Sequence, residues 1–109
     1  MITVKLIKSG EDFIGFDVSG HSGYAECGSD IVCAAVSSAV GLCESAVNDF
    51  FGGGAEVVIK PENAEVFLKL GSSCNASCVG ILSAFAAHMT AIRDEYPDYI
   101  DVLEVQLNA

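Results

Sequence analysis

Two residues in the stretch GHSGYAECGSDIVCAAVSS, residues 20–38, can do covalent chemistry: His21 and, twelve positions later, Cys33. A thiolate is a strong nucleophile, but an unperturbed thiol with a pKa of about 8.5 is only a few per cent ionised at neutral pH. Cysteine catalysis therefore needs a base in reach and a setting that favours negative charge. With Ser29 or Asp30 as N-cap, Cys33 falls in the first turn of a helix. There, unpaired N–H groups and the helix dipole favour an anion. The N–H groups around Cys33 would also be natural donors to an oxyanion. On a helical wheel Cys33 lies about 100° from Val32, at the edge of the apolar stripe, so it can face a cleft while packing holds it.

His21 is the candidate base. Asp30 can cap the helix or orient the imidazole, as the third member of a triad does. Being a carboxylate, it would oppose thiolate formation, so thiol activation is not its part. Between the second strand and the first helix runs a loop with three glycines over residues 20–28, able to bend sharply and to let another backbone approach. Gly20, Ser22, Gly23 and Gly28 are its candidate substrate-binding residues. Taken bare, one His and one Cys twelve residues apart favour a loop imidazole and a core thiol; the helix-start context of Cys33 brings the catalytic reading level with it.

The elements around the loop follow from periodicity. Ile2, Val4 and Leu6, then Ile14, Phe16 and Val18, alternate as strands over residues 2–8 and 13–18, joined by the turn Ser9-Gly10-Glu11-Asp12. From about Ser29 the period becomes helical, with Val32, Ala35, Val36, Ala39, Val40, Cys43, Ala46, Val47 and Phe50 inward, until Gly52-Gly53-Gly54 ends it. Strands over 55–60 and 64–70 flank the Pro61 turn. A second helix over about 76–96 carries Cys78, Leu82, Phe85, Met89, Ile92 and Tyr96 inward and stops at Pro97. Val102 to Leu107 reads as a last strand. The order β-β-α-β-β-α-β is a loose duplication. It predicts one α+β domain over residues 1–109, a two-layer fold in which a mixed sheet of about five strands carries two helices.

Composition narrows the function. Five Lys and Arg against fifteen Asp and Glu give a net charge of −10, so the surface repels nucleic acid and anionic lipid and attracts basic polypeptides. The N-terminus lacks a secretion h-region, and the apolar runs fall short of the roughly 20 residues a bilayer span requires, which points to a soluble, cytoplasmic protein. Five cysteines with no C-x-x-C pair fit reduced thiols, most of them in the core. Cys27 is a loop thiol, Cys43 reads as core, and Cys74 and Cys78 frame the start of the second helix. His88, at the border of that helix's stripe, reads as a partly buried structural histidine. The spacings of His21, Cys27, Cys33, Cys74, Cys78 and His88 do not form paired knuckles, so neither a metal nor another cofactor is expected.

The stretch resembles the signature of the bacterial ribosomal-processing cysteine proteases (the Prp family, YsxB-like). That signature runs Gly-His-Ala, a loop, then Gly-x-Asp-Ile-Val-Cys-Ala-Ala-Val-Ser. This sequence supplies Gly20 and His21, then Gly28, Asp30, Ile31, Val32, Cys33, Ala34, Ala35, Val36 and Ser37, with Ser22 where alanine is usual. EYPDYIDV, residues 95–102, is similar to the family's end of the second helix. The resemblance implies a homodimeric cysteine protease with Cys33 as nucleophile, His21 as base and Asp30 as a motif residue of less defined role. It also implies removal of a short N-terminal extension from large-subunit ribosomal protein number twenty-seven, after an aromatic-rich stretch. The competing reading is a non-catalytic acidic module that binds a ribosomal or assembly protein through its glycine loop.

Overall fold

Residues 1–26, 29–72 and 75–107 are described by the structure, a computed structural model. Strand β1 (Ile2–Ser9) and strand β2 (Asp12–Ser19) form the first hairpin, with a register irregularity between Ile7 and Lys8. Helix α1 (Ile31–Ser45) follows, then β3 (Glu56–Lys60), a 3-10 turn over Pro61–Asn63, β4 (Glu65–Lys69), helix α2 (Ala76–Glu95) and β5 (Ile100–Gln106). The sheet order is β3-β4-β2-β1-β5. Only β1 and β5 run parallel among these pairs; the others are antiparallel. The fold is α+β with a mixed five-stranded sheet and two helices, as the periodicity predicts.

Both helices bury their inner stripes against the sheet. Val32, Val36, Val40 and Cys43 of α1 and Cys78, Leu82, Phe85, Met89 and Ile92 of α2 join Val4, Leu6, Phe16, Leu68 and Ile100 of the strands in one core. Phe16 and Phe85 stack at 4.5 Å between ring centroids, tying α2 to the strand that leads into the loop. Burial of this kind, about 25 cal/mol per Å² of apolar surface, is what gives the loop a rigid base. By length and composition alone each helical segment could cross a bilayer, contrary to the expectation from its apolar runs. Their amphipathic stripes pack on the sheet instead.

Three residues depart from their expected burial. After Ser45 the helix widens into a π turn over Ala46–Phe50, adding a residue per turn and rotating the stripe. Val47 stays fully buried, while Phe50, predicted inward, is 80 % exposed. Ala35 is exposed as well, since the inner face of α1 is the narrower row of Val32, Val36, Val40 and Cys43. His88 is exposed on α2, not partly buried. Cys27, Gly28 and Cys74 lie outside the described residues.

Candidate active site

The site begins with a helix cap. Asp30 holds an extended backbone (φ −82°, ψ 100°), and its Oδ1 accepts from the N–H groups of Val32 at 3.0 Å and Cys33 at 2.9 Å. Its main-chain oxygen accepts from Ala34 N–H at 3.1 Å. Asp30 is thus the N-cap, and Ser29 precedes it. These bonds contradict the expectation that the N–H groups around Cys33 are open to an oxyanion: the cap takes them, because a carboxylate at this position is the nearest strong acceptor.

Asp30 Oδ2 accepts from the Ser22 hydroxyl. The Ser22 hydroxyl, more than any other group, holds the Asp30 carboxyl down to about 2, followed by the Cys33 N–H and, more weakly, the Cys33 thiol. Asp30 is therefore ionised throughout the neutral range. Among the described residues neither carboxylate oxygen bonds His21. The geometry fits capping, the first of the two roles expected for Asp30, and shows no contact for orienting the imidazole.

Cys33 is half-buried in the first turn of α1, packed against the core on one side. Its Sγ accepts from the Ser22 N–H at 3.3 Å. His21 is exposed. No hydrogen bond joins imidazole to sulfur among the described residues, but both side chains line the same two clefts. One, of about 460 Å³, is lined by His21, Gly23, Ala25, Asp30, Cys33 and Ser37, among others. The other, of about 330 Å³, adds Val18, Val36, Val40 and Val66 to His21 and Cys33. The two clefts share His21, Cys33 and Ser37.

The remaining loop residues divide. Gly20 lines the smaller cleft and Gly23 the larger one. Ser22, expected to touch substrate, is only 3 % exposed and turned inward to Asp30. Gly28 falls outside the described residues. Ser37 lines both clefts and was missed as a site residue. Its signal was present: four residues beyond Cys33 on a helix, it shares that face.

The other described thiols are different in kind. Cys43 is 4 % exposed, and burial, helped by nearby Cys78, pushes its thiol up to about 11. Cys78 is fully buried. Among the described residues no three His, Cys, Asp or Glu side chains converge as metal ligands.

The sequence profile described as cysteine protease Prp matches residues 1–101. The chain belongs to the cysteine protease Prp family. Its fold is similar to that of the ribosomal processing protease Prp of S. aureus solved with a covalently linked product peptide, at TM-score 0.89 and 21 % identity, covering 96 % of this chain and 100 % of that one. The same S. aureus protease with a substrate peptide matches at TM-score 0.84 and 20 % identity, over 96 % and 100 % of the two chains. SMU.848 from Streptococcus mutans matches at 0.81 and 20 %, over 98 % and 96 %. No curated protein sequence matches the chain. Membership in Prp makes this a cysteine protease; Cys33 is the described thiol that shares its clefts with His21, whereas the buried Cys43 lines a separate cleft with His88.

Proposed function

We propose that this Prp protease removes an N-terminal extension from a basic large-subunit ribosomal protein, number twenty-seven, in the cytoplasm, with Cys33 as nucleophile and His21 as general base. One observation carries the assignment: Cys33, at a capped helix N-terminus, and His21 are common to the same two clefts. The S. aureus relatives, solved with substrate and with product peptides and named as ribosomal processing proteases, support the substrate class.

In the reaction, His21 takes the thiol proton and Cys33 Sγ attacks the scissile carbonyl carbon, giving a tetrahedral intermediate. Its collapse breaks the C–N bond, with His21 returning the proton to the leaving amine. Water, deprotonated by His21, then opens the thioester and frees the acid. The cleft lined by Val18, Val36, Val40 and Val66 suits a large apolar side chain next to the scissile bond, in keeping with an aromatic-rich extension. The net charge of −10 suits a basic partner and disfavours direct nucleic-acid binding. The protease acts as a homodimer; the exposed apolar side chains of Leu42, Phe50 and Phe51 support such a contact, which sedimentation at micromolar concentration checks.

The test is incubation of the protein with a peptide spanning the extension junction, followed by mass spectrometry. The parent should cut it. Cys33→Ala should bind it uncut, and His21→Ala should slow cleavage roughly 10²–10⁴-fold, the usual worth of a general base. A Cys33→Ala protein that still cuts at the parent rate refutes the assignment, and a parent that binds without cutting leaves the non-catalytic acidic module.

A further inference from the structure

The polar side chain of Ser22 is buried, 3 % exposed, and it departs from the alanine of the signature it otherwise matches. A buried hydroxyl has to be hydrogen-bonded, and this one is bonded at both ends. It donates to Asp30 Oδ2 and accepts from the N–H of Tyr24 at 3.0 Å. Each partner is itself anchored. Asp30 is fixed to the first turn of α1 through Oδ1. Tyr24 packs edge-on against Tyr96, at 5.7 Å between centroids, and against Tyr99, at 5.1 Å, in the corner between α2 and β5. Ser22 is the knot between these anchors, and its own N–H points at Cys33 Sγ from 3.3 Å.

We propose that Ser22 is a positioning residue for the nucleophile: its hydroxyl, tied to Asp30 and Tyr24, holds the Ser22 N–H on the sulfur of Cys33. An N–H aimed at sulfur fixes the direction from which the sulfur attacks. The Asp30 carboxyl, held down to about 2 chiefly by this hydroxyl, stays an acceptor across the whole working range. With alanine at this position the N–H remains but the side-chain tie is lost, so the loop can turn the donor away. The aromatic motif at residues 95–102 acquires a part in the same device, since Tyr96 and Tyr99 seat the loop that carries Ser22.

The inference rests on Cys33 being the nucleophile. It is tested on full-length Ser22→Ala and Ser22→Thr against the parent. The readouts are the rate of Cys33 alkylation by iodoacetamide at neutral pH, kcat and KM on the junction peptide, and thermal melting. Ser22→Ala should alkylate and turn over about tenfold more slowly, the scale of one hydrogen bond to an ionised group, with KM nearly unchanged. Ser22→Thr, which keeps the hydroxyl, should recover most of the rate. If Ser22→Ala melts earlier but, while still folded, reacts at parent rates, Ser22 is only structural and the proposal is overturned. Should Ser22→Ala not fold, the parent decides. Its Ser22 amide proton signal should shift as Cys33 ionises and lose that response once Cys33 is alkylated, and an indifferent signal overturns the proposal. Because alkylation and the amide signal need no substrate, a parent that fails to cut the peptide sinks the proposed function without deciding this one.

Discussion

Replacing Gly20 by alanine should damage fold and chemistry together. Gly20 has φ +88°, and a Cβ there would lie 2.6 Å from the Met1 carbonyl oxygen, a backbone atom that cannot swing away. The left-handed backbone costs a residue with a Cβ about 1–2 kcal/mol. Relieving the overlap by moving chain costs about 1–3 kcal/mol more. Together, about 2–5 kcal/mol lowers the melting temperature of a domain this size by roughly 10–20 °C. The fold should persist at room temperature, since domains carry about 5–15 kcal/mol of stability. Gly20 immediately precedes His21, so the shift that relieves the clash also displaces the imidazole. A misplacement on the order of 1 Å can cost about a hundredfold in rate.

Gly23→Ala supplies the control. Gly23 is also left-handed, at φ +74°, but a Cβ there meets nothing within 4 Å. Only the conformational cost remains, about 1–2 kcal/mol, or roughly 4–8 °C. Calorimetry and peptide cleavage on the two variants decide. If Gly20→Ala melts no earlier than Gly23→Ala, or cleaves at the parent rate, the crowding at Met1 does not position His21.

Three further outcomes follow from charge. The Asp30 carboxyl is lowered from 3.8 to about 2, so its ionised state stabilises the fold at and above the unfolded value and loses that effect as pH falls from about 4 towards 2. The melting-temperature difference between parent and Asp30→Asn should be constant near neutrality and shrink through that window; a flat difference would falsify the reading. Asp17 is raised above its ordinary value, first by burial and then by Glu65, against opposing pulls from Lys5 and Lys60. Its Oδ1 is buried without a hydrogen-bond partner among the described residues, so ionisation costs stability as pH rises. Asp17→Asn should melt higher at neutral pH and no higher at about pH 3 by calorimetry. Finally, with a net charge of −10, kcat/KM on the basic substrate protein should fall as sodium chloride rises through the physiological range. Kinetics indifferent to salt would remove electrostatic steering and leave the dyad standing.

Much of the architecture was legible because its signals are local. Alternation marked β1 and β2, helical period marked α1 and α2, and Pro61 and Pro97 marked the breaks. Asp30 three residues before Cys33 marked the cap, since an N-cap carboxylate reaches the N–H groups of the following turn. What stayed hidden depends on contacts between elements or on a change of helix type. The π turn over Ala46–Phe50 breaks the period that put Phe50 inside. The capping bonds used N–H groups that a bare helix end would have left open. The bond from Ser22 to Asp30 spans eight residues of loop, and no periodicity encodes such a closure.

The two halves of the chain show why a helix start alone makes no active site. In the second half Asn75 caps α2 and its Oδ1 accepts from Cys78 N–H at 3.0 Å, the same offset by which Asp30 holds Cys33. Both thiols therefore sit at the positive end of a helix dipole. Yet Cys78 is fully buried, with its Sγ turned to the Phe51 carbonyl oxygen at 3.7 Å. Cys33 instead stands half-exposed between two clefts, with Ser22 N–H on its sulfur and His21 on the same walls. The dipole is common to both, so it cannot be what separates the proposed nucleophile from a core thiol. The separating feature is the glycine loop, which in the first half carries an imidazole and an inward serine to the helix mouth. Iodoacetamide applied to the folded chain should accordingly label Cys33 and leave Cys78 untouched until unfolding. Equal labelling of the two would mean that position on the helix, and not the loop, governs reactivity.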